Sequence, residues 1–116
     1  MATSQEVVDS LESFALSCKE NDRLTVMIKD WNRVLRVEAT DLGTVNSLVT
    51  SGGDVSVKDG AFETPDLVIQ SDSDTLTQVF YGELSPNEPY NDGSLRIKGS
   101  EEDIVRLDFV IAMLWE

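Results

Sequence analysis

The chain has 116 residues, enough for one domain and too few for two, and 41 % of them are apolar, which is ordinary for a folded protein. No run approaches the ~18 consecutive apolar residues that would span a membrane. With 22 acidic against 9 basic residues the formal charge is −13, and the basic residues are scattered rather than clustered; such a field argues against binding to nucleic acid or to anionic lipid surfaces.

Residues 4 to 18 are expected to form an amphipathic helix. Thr3-Ser4-Gln5-Glu6 matches a capping box, with Thr3 as the cap and Glu6 returning the bond. Val7, Leu11, Phe14, Ala15 and Cys18 fall on one face at helical spacing, so Cys18 reads as core packing. It is the only cysteine and cannot form an internal disulfide, which fits a reducing, cytoplasmic home. The N-terminus lacks a basic region followed by an apolar run and does not read as a secretory signal. Residues 23 to 30 alternate through Leu24, Val26 and Ile28, and residues 33 to 39 alternate through Leu35, Val37 and Ala39. With Asp30-Trp31-Asn32 as a turn, they predict an antiparallel pair of strands.

Residues 41 to 54 are ambiguous. Loop signals at 41–43 and 51–54 enclose Val45, Leu48 and Val49, which suit a strand, a helical turn or an ordered loop. Val55 and Val57 make a short strand, with a turn at Lys58-Asp59-Gly60, and Pro65 precedes a strand over Asp66 to Gln70. Asp72 or Ser73 can cap a helix whose Leu76, Val79 and Phe80 make one apolar stripe. Gly82 sits where that helix should end with a positive φ, and Pro86 biases Ser85 towards an extended path. A second short helical turn and a turn at Asn91-Asp92-Gly93 follow, and Leu95 and Ile97 alternate as a half-buried strand closed by Gly99. Ser100 caps a last helix from about Glu101 to Trp115, with Glu101, Glu102 and Asp103 at its positive end. Ile104, Leu107, Ile111 and Leu114 suit packing on a sheet. Val105, Phe109, Val110 and Met113 lie elsewhere on that helix and call for a second apolar partner: the 72–81 helix, a subunit or a ligand.

The order of these elements resembles the sterol carrier protein 2 (SCP-2) family over about residues 55 to 115. The resemblance is carried by Gly82-Glu83-Leu84-Ser85-Pro86, by Tyr90, by Gly93-Ser94-Leu95-Arg96-Ile97-Lys98-Gly99, and upstream by Pro65-Asp66-Leu67-Val68-Ile69. It implies an α+β fold: about five strands in a mostly antiparallel sheet, helices on one face, and an apolar lipid-holding tunnel between them. On this reading the strands at 23–30 and 33–39 lead the sheet, and 41–54 is an insertion relative to the family's short turn. The C-terminal residues, Met113-Leu114-Trp115-Glu116, lack the peroxisomal address that some members carry.

Catalytic chemistry finds little support. With no histidine, neither a Ser-His-Asp triad nor an imidazole metal site can form, and no phosphate-binding glycine loop occurs. The acidic pairs Asp72/Asp74 and Glu101/Glu102/Asp103 stand at helix starts, where capping explains them. No catalytic residue, metal or cofactor is expected. The resemblance implies non-catalytic binding or transfer of a fatty acid, sterol or other lipid by a single domain over residues 1–116. The expected lining is Leu76, Val79, Phe80, Leu84, Tyr90, Phe109, Val110, Met113 and Trp115, with the terminal helix as a mobile wall. Because the acidic surface opposes collision with membranes, ligand collected from a partner enzyme is the expected route. Two alternatives stand beside this: a small enzyme domain with Asp66, Glu83 or Asp92 as a pocket acid of raised pKa, and an interaction module that dimerises through the C-terminal helix.

Overall fold

The computed structural model describes residues 1–61 and 64–115. The elements are α1 (Ser4–Lys19), α2 (Asp22–Met27), β1 (Arg33–Ala39), β2 (Thr44–Ser51), β3 (Asp54–Asp59), β4 (Leu67–Ser71), α3 (Ser73–Phe80), α4 (Asn87–Asp92), β5 (Arg96–Gly99) and α5 (Glu101–Trp115). The sheet runs β3-β2-β1-β4-β5; β1 and β4 are parallel, and the other three pairings are antiparallel. This is the expected α+β architecture with a five-stranded, mostly antiparallel sheet.

One rung of side chains crosses that sheet. Val57 faces Leu48, Leu48 faces Leu35, and Leu35 faces Leu67. Because side chains alternate across a strand, all four point to the same side. There they meet Leu11, Phe14 and Cys18 of α1, Leu76 and Phe80 of α3, and Leu107 and Val110 of α5 in one core. The opposite side of the sheet mixes Val34, Val49 and Val68 with polar side chains, among them Gln70, whose Nε2 donates to Glu38 Oε1 at 2.6 Å across the β1–β4 pair. At the end of the rung Gly99 lies opposite Leu67, and a Cβ there would strike the Leu67 side chain and the Asp66 carbonyl.

Several caps form as the sequence implies. Thr3 Oγ1 accepts from the Glu6 amide at 3.1 Å while the Thr3 amide donates to Glu6 Oε1 at 3.0 Å. For α3 the cap is Asp72, whose carboxylate accepts from the Thr75 amide at 2.8 Å and the Thr75 hydroxyl at 2.9 Å. Ser100 Oγ accepts from the Asp103 amide at 3.2 Å at the start of α5.

Three expectations are corrected. Residues 22–27 are helix α2, not a strand. Asn21 Oδ1 accepts from the Leu24 amide at 3.0 Å, and Leu24 and Ile28, four apart, are both buried while Val26 is exposed. The 23–30 stretch therefore does not pair with β1, and Asp30-Trp31-Asn32 leads from α2 into β1 rather than turning a hairpin. The antiparallel partner of β1 is β2, so 44–51 is a strand at the heart of the sheet and not an insertion. On α5, Val110 joins Leu107 and Ile111 in the core, while Ile104 and Leu114 are only half-buried.

Candidate functional site

The chain leaves α3 through Tyr81 and Gly82, where φ is +79°. The amides of Glu83 and Leu84 both donate back to the Gln78 carbonyl, at 2.8 and 3.2 Å, so the exit is a fixed turn. The next residues run past the last turns of α5. Between them lies a half-open cleft of about 300 Å³. Leu84, Pro86, Ile111, Ala112 and Trp115 give it apolar walls; Ser85, Asn87 and Asp108 add polar groups. Trp115 lies so close over Gly82 that a Cβ on Gly82 would overlap the indole. A second hollow of about 70 Å³, between α4, β5 and α5, shares Pro86, Asn87 and Asp108 with the first and adds Tyr90, Ile97 and Ile104.

The space between sheet and helices is nearly closed. A void of about 10 Å³ remains there among Phe14, Trp31, Leu35, Leu107 and Val110. An empty apolar cavity of ~300 Å³ would cost roughly 7 kcal/mol, so collapse of an interior tunnel is the low-energy outcome. Open volume lies instead at the rim.

The residues expected to line a lipid site are accordingly distributed. Leu84 and Trp115 stand on the cleft, and Tyr90 on the adjoining hollow. Leu76, Val79 and Phe80 are buried in the core beneath α1, with Phe80 edge-on to Phe14 at 5.2 Å between ring centroids. Val110 borders the small void, and Met113 packs half-buried against the core. Phe109 points outward, 59 % exposed. Reading the sequence missed Gly82, Ser85, Pro86, Asn87, Asp108, Ile111 and Ala112 as cleft residues. The helical spacing of Asp108, Ile111 and Trp115 is the signal that could have grouped Asp108 and Ile111 with Trp115.

The N-terminal half of α5 is fixed by a polar cluster. Asp103 Oδ1 accepts from Trp31 Nε1 at 2.9 Å and from Arg33 Nε at 3.0 Å. Burial pushes the Asp103 pKa up, but the hydrogen bonds from Trp31, Arg33 and Ser100 and the charge of Arg33 outweigh it and hold the carboxyl below its ordinary value. Arg106 stacks on Trp31 at 5.9 Å and donates to the Met27 carbonyl at 3.2 Å, which ties α2 to the same cluster.

The three candidate pocket acids do not have the environment a catalytic acid needs. Asp66, Glu83 and Asp92 are all exposed. Asp66 accepts from the Val34 amide at 2.8 Å, and Asp92 accepts from the Ser94 amide at 2.8 Å; hydrogen bonding with Ser94, through its side chain first and its amide second, lowers the Asp92 pKa. Cys18 is buried, and burial pushes its thiol up to about 12, which leaves it protonated and unreactive. Among the described residues no three His, Cys, Asp or Glu side chains converge on a metal position, and no helix is long and apolar enough to cross a membrane.

The family model described as the SCP-2 sterol transfer family matches residues 14–110. The chain belongs to that family. Among solved structures this SCP-2 chain is similar to the ubiquinone synthesis protein UbiJ-SCP2, with 15 % identity and a TM-score of 0.74, covering 93 % of this chain and 94 % of that one. It is similar to palmitated SCP2L2 from Aedes aegypti, with 14 % identity, a TM-score of 0.65 and 95 % of both chains covered. It is also similar to part of the stereoselective inverting sec-alkylsulfatase Pisa1 from Pseudomonas sp., with 17 % identity and a TM-score of 0.64. That match covers 79 % of this SCP-2 chain but spans only 14 % of the sulfatase. At these identities the likeness is one of fold. No curated protein matches the chain.

Proposed function

We propose that the chain, as one domain, binds and transfers a hydrophobic ligand without catalysing a reaction, and that the cleft between residues 82–87 and the end of α5 receives that ligand. The observation that carries this reading is the cleft itself: a half-open hollow of about 300 Å³ lined by Leu84, Pro86, Ile111 and Trp115 together with polar Ser85, Asn87 and Asp108, at the low end of the ~300–1,000 Å³ of small-molecule sites. Membership of a sterol transfer family supports it.

Magnitudes set the expected affinity. Burying ten methylenes completely contributes about −8 kcal/mol before association costs, near micromolar. Leaving one side of the chain in water halves that, to about −4 kcal/mol and near millimolar. Micromolar binding therefore requires Trp115 and α5 to close over the guest. The charge of −13 disfavours loading at an anionic membrane, so a partner enzyme is the better source of ligand, in a cytoplasmic setting that suits the buried thiol.

Two measurements test this: native mass spectrometry for lipid carried through purification, and titration with a fluorescent sterol. Saturable binding supports the proposal; absence of both co-purified lipid and saturable binding refutes it. A second reading rests on Val105 and Phe109, exposed side by side on α5 at 48 % and 59 %. They give α5 an apolar outer face through which two copies would associate. A dimer mass at low micromolar concentration supports this, and a monomer mass excludes it.

A further inference from the structure

We propose that the cleft selects its ligand by head-group charge: Asp108 admits amphiphiles with a neutral or cationic hydrogen-bond-donating head and rejects those headed by a carboxylate. This rests on the binding proposal above and narrows its ligand class.

Asp108 is a solvent-exposed charged group in an otherwise apolar stripe of α5, at the open side of the cleft. Ile104, Ile111 and Trp115 share its side of the helix, and both the 300 Å³ cleft and the 70 Å³ hollow border on it. It takes no hydrogen bond or ion pair among the described residues, so its charge is not spent on a neighbour. Neither lining contains a lysine or arginine. Ser85 and Asn87 offer donors and acceptors alike and so favour no sign of charge. A ligand whose chain fills the apolar part places its head near Asp108. A hydroxyl or ammonium head then finds an acceptor, whereas a carboxylate meets a like charge and no counter-ion. The overall charge of −13 adds to that repulsion.

The size of the guest follows from the volume. A dry cavity of roughly 150 Å³ holds benzene, about 25 Å³ per carbon, so about 300 Å³ admits a chain of about a dozen carbons. Dodecylamine, dodecanol and dodecanoate are therefore matched probes that differ in the head alone. Calorimetric titration of each, below its micellar concentration at neutral pH and low salt, should find dodecylamine and dodecanol binding at least about tenfold more tightly than dodecanoate. Raised salt should shrink the gap between amine and carboxylate. Asp108→Asn should tighten dodecanoate about tenfold and weaken dodecylamine, while dodecanol, whose hydroxyl still meets the Asn carbonyl as an acceptor, should change less than either. Dodecanoate binding as well as dodecanol, or a gap that Asp108→Asn does not narrow, overturns charge selection while leaving lipid binding intact. Failure of all three probes to bind overturns both.

Discussion

The contact between Trp115 and Gly82 gives the sharpest test of how the cleft is built. Gly82→Ala puts an L side chain at φ +79° and a methyl group where the indole lies. The backbone alone costs about 1–2 kcal/mol. The indole must also move. A tryptophan buries ~150–250 Å², and Trp115 is 39 % exposed, so about 120 Å² of contact is at stake, at most about 3 kcal/mol. A sideways slide keeps part of it; expulsion loses it all. The expected total is about 2–5 kcal/mol, and thermal unfolding followed by circular dichroism should show a drop of roughly 4 °C per kcal/mol. Trp115→Ala removes the obstacle, so in that background Gly82→Ala should cost only its backbone share of about 1–2 kcal/mol. If Gly82→Ala costs the same in both backgrounds within ~0.5 kcal/mol, the indole contact does not shape this wall.

Other outcomes are expected elsewhere. Asp103→Ala strands the Trp31 and Arg33 donors and should destabilise the fold by about 2–3 kcal/mol in urea unfolding. Because the folded-state pKa of Asp103 lies below its unfolded value near 3.9, its stabilisation is present above about pH 4 and is lost as pH falls through the lower folded value. Asp103→Asn should flatten that acid limb, though Asp41, held low by its bond from Ser73, and Asp92 contribute in the same direction. The Cys18 thiol, with its pKa near 12, should resist alkylating reagents at pH 8 in the native protein and react once unfolded. Rapid native labelling would contradict its burial on the inner face of α1.

Much of the fold was legible where one residue has one physical use. The Thr3–Glu6 box starts α1, Asp72 starts α3, and Gly82 takes the positive φ that ends it. The misreadings arose where two periods fit the same residues. Leu24 and Ile28 are two steps of alternation and also one helical turn; the cap from Asn21 breaks the tie, and its neighbours gave it no emphasis. Strand β2 was obscured because Asn46, Ser47 and Thr50 are polar yet buried. Their burial depends on distant partners: Ser47 Oγ donates to the Gly60 carbonyl at 2.7 Å, and Thr50 Oγ1 accepts from the Arg33 amide at 2.8 Å. The site was harder still. Leu84 could be placed near the cleft from its own loop; helical spacing groups Asp108 with Ile111 and Trp115 on one side of α5, but that this side lies against residues 82–87 is a packing that no local pattern encodes.

The parallel pairing of β1 with β4 orders events in time. Strands β1, β2 and β3 are joined by short turns and can zip up locally. Leu35 meets Leu67 only after the chain between them, residues 36–66, has closed on itself, a step whose entropic cost rises with length and which slows folding. Every residue of the cleft comes after β4 in the chain. The half of the molecule that assembles last is thus the half that carries the cleft, and its amides in α4 and α5 should exchange with deuterium sooner than those of β1 and β2. Opening the cleft then needs only a partial loosening of that later half, while the earlier meander keeps its hydrogen bonds and serves as the template on which the rest re-forms.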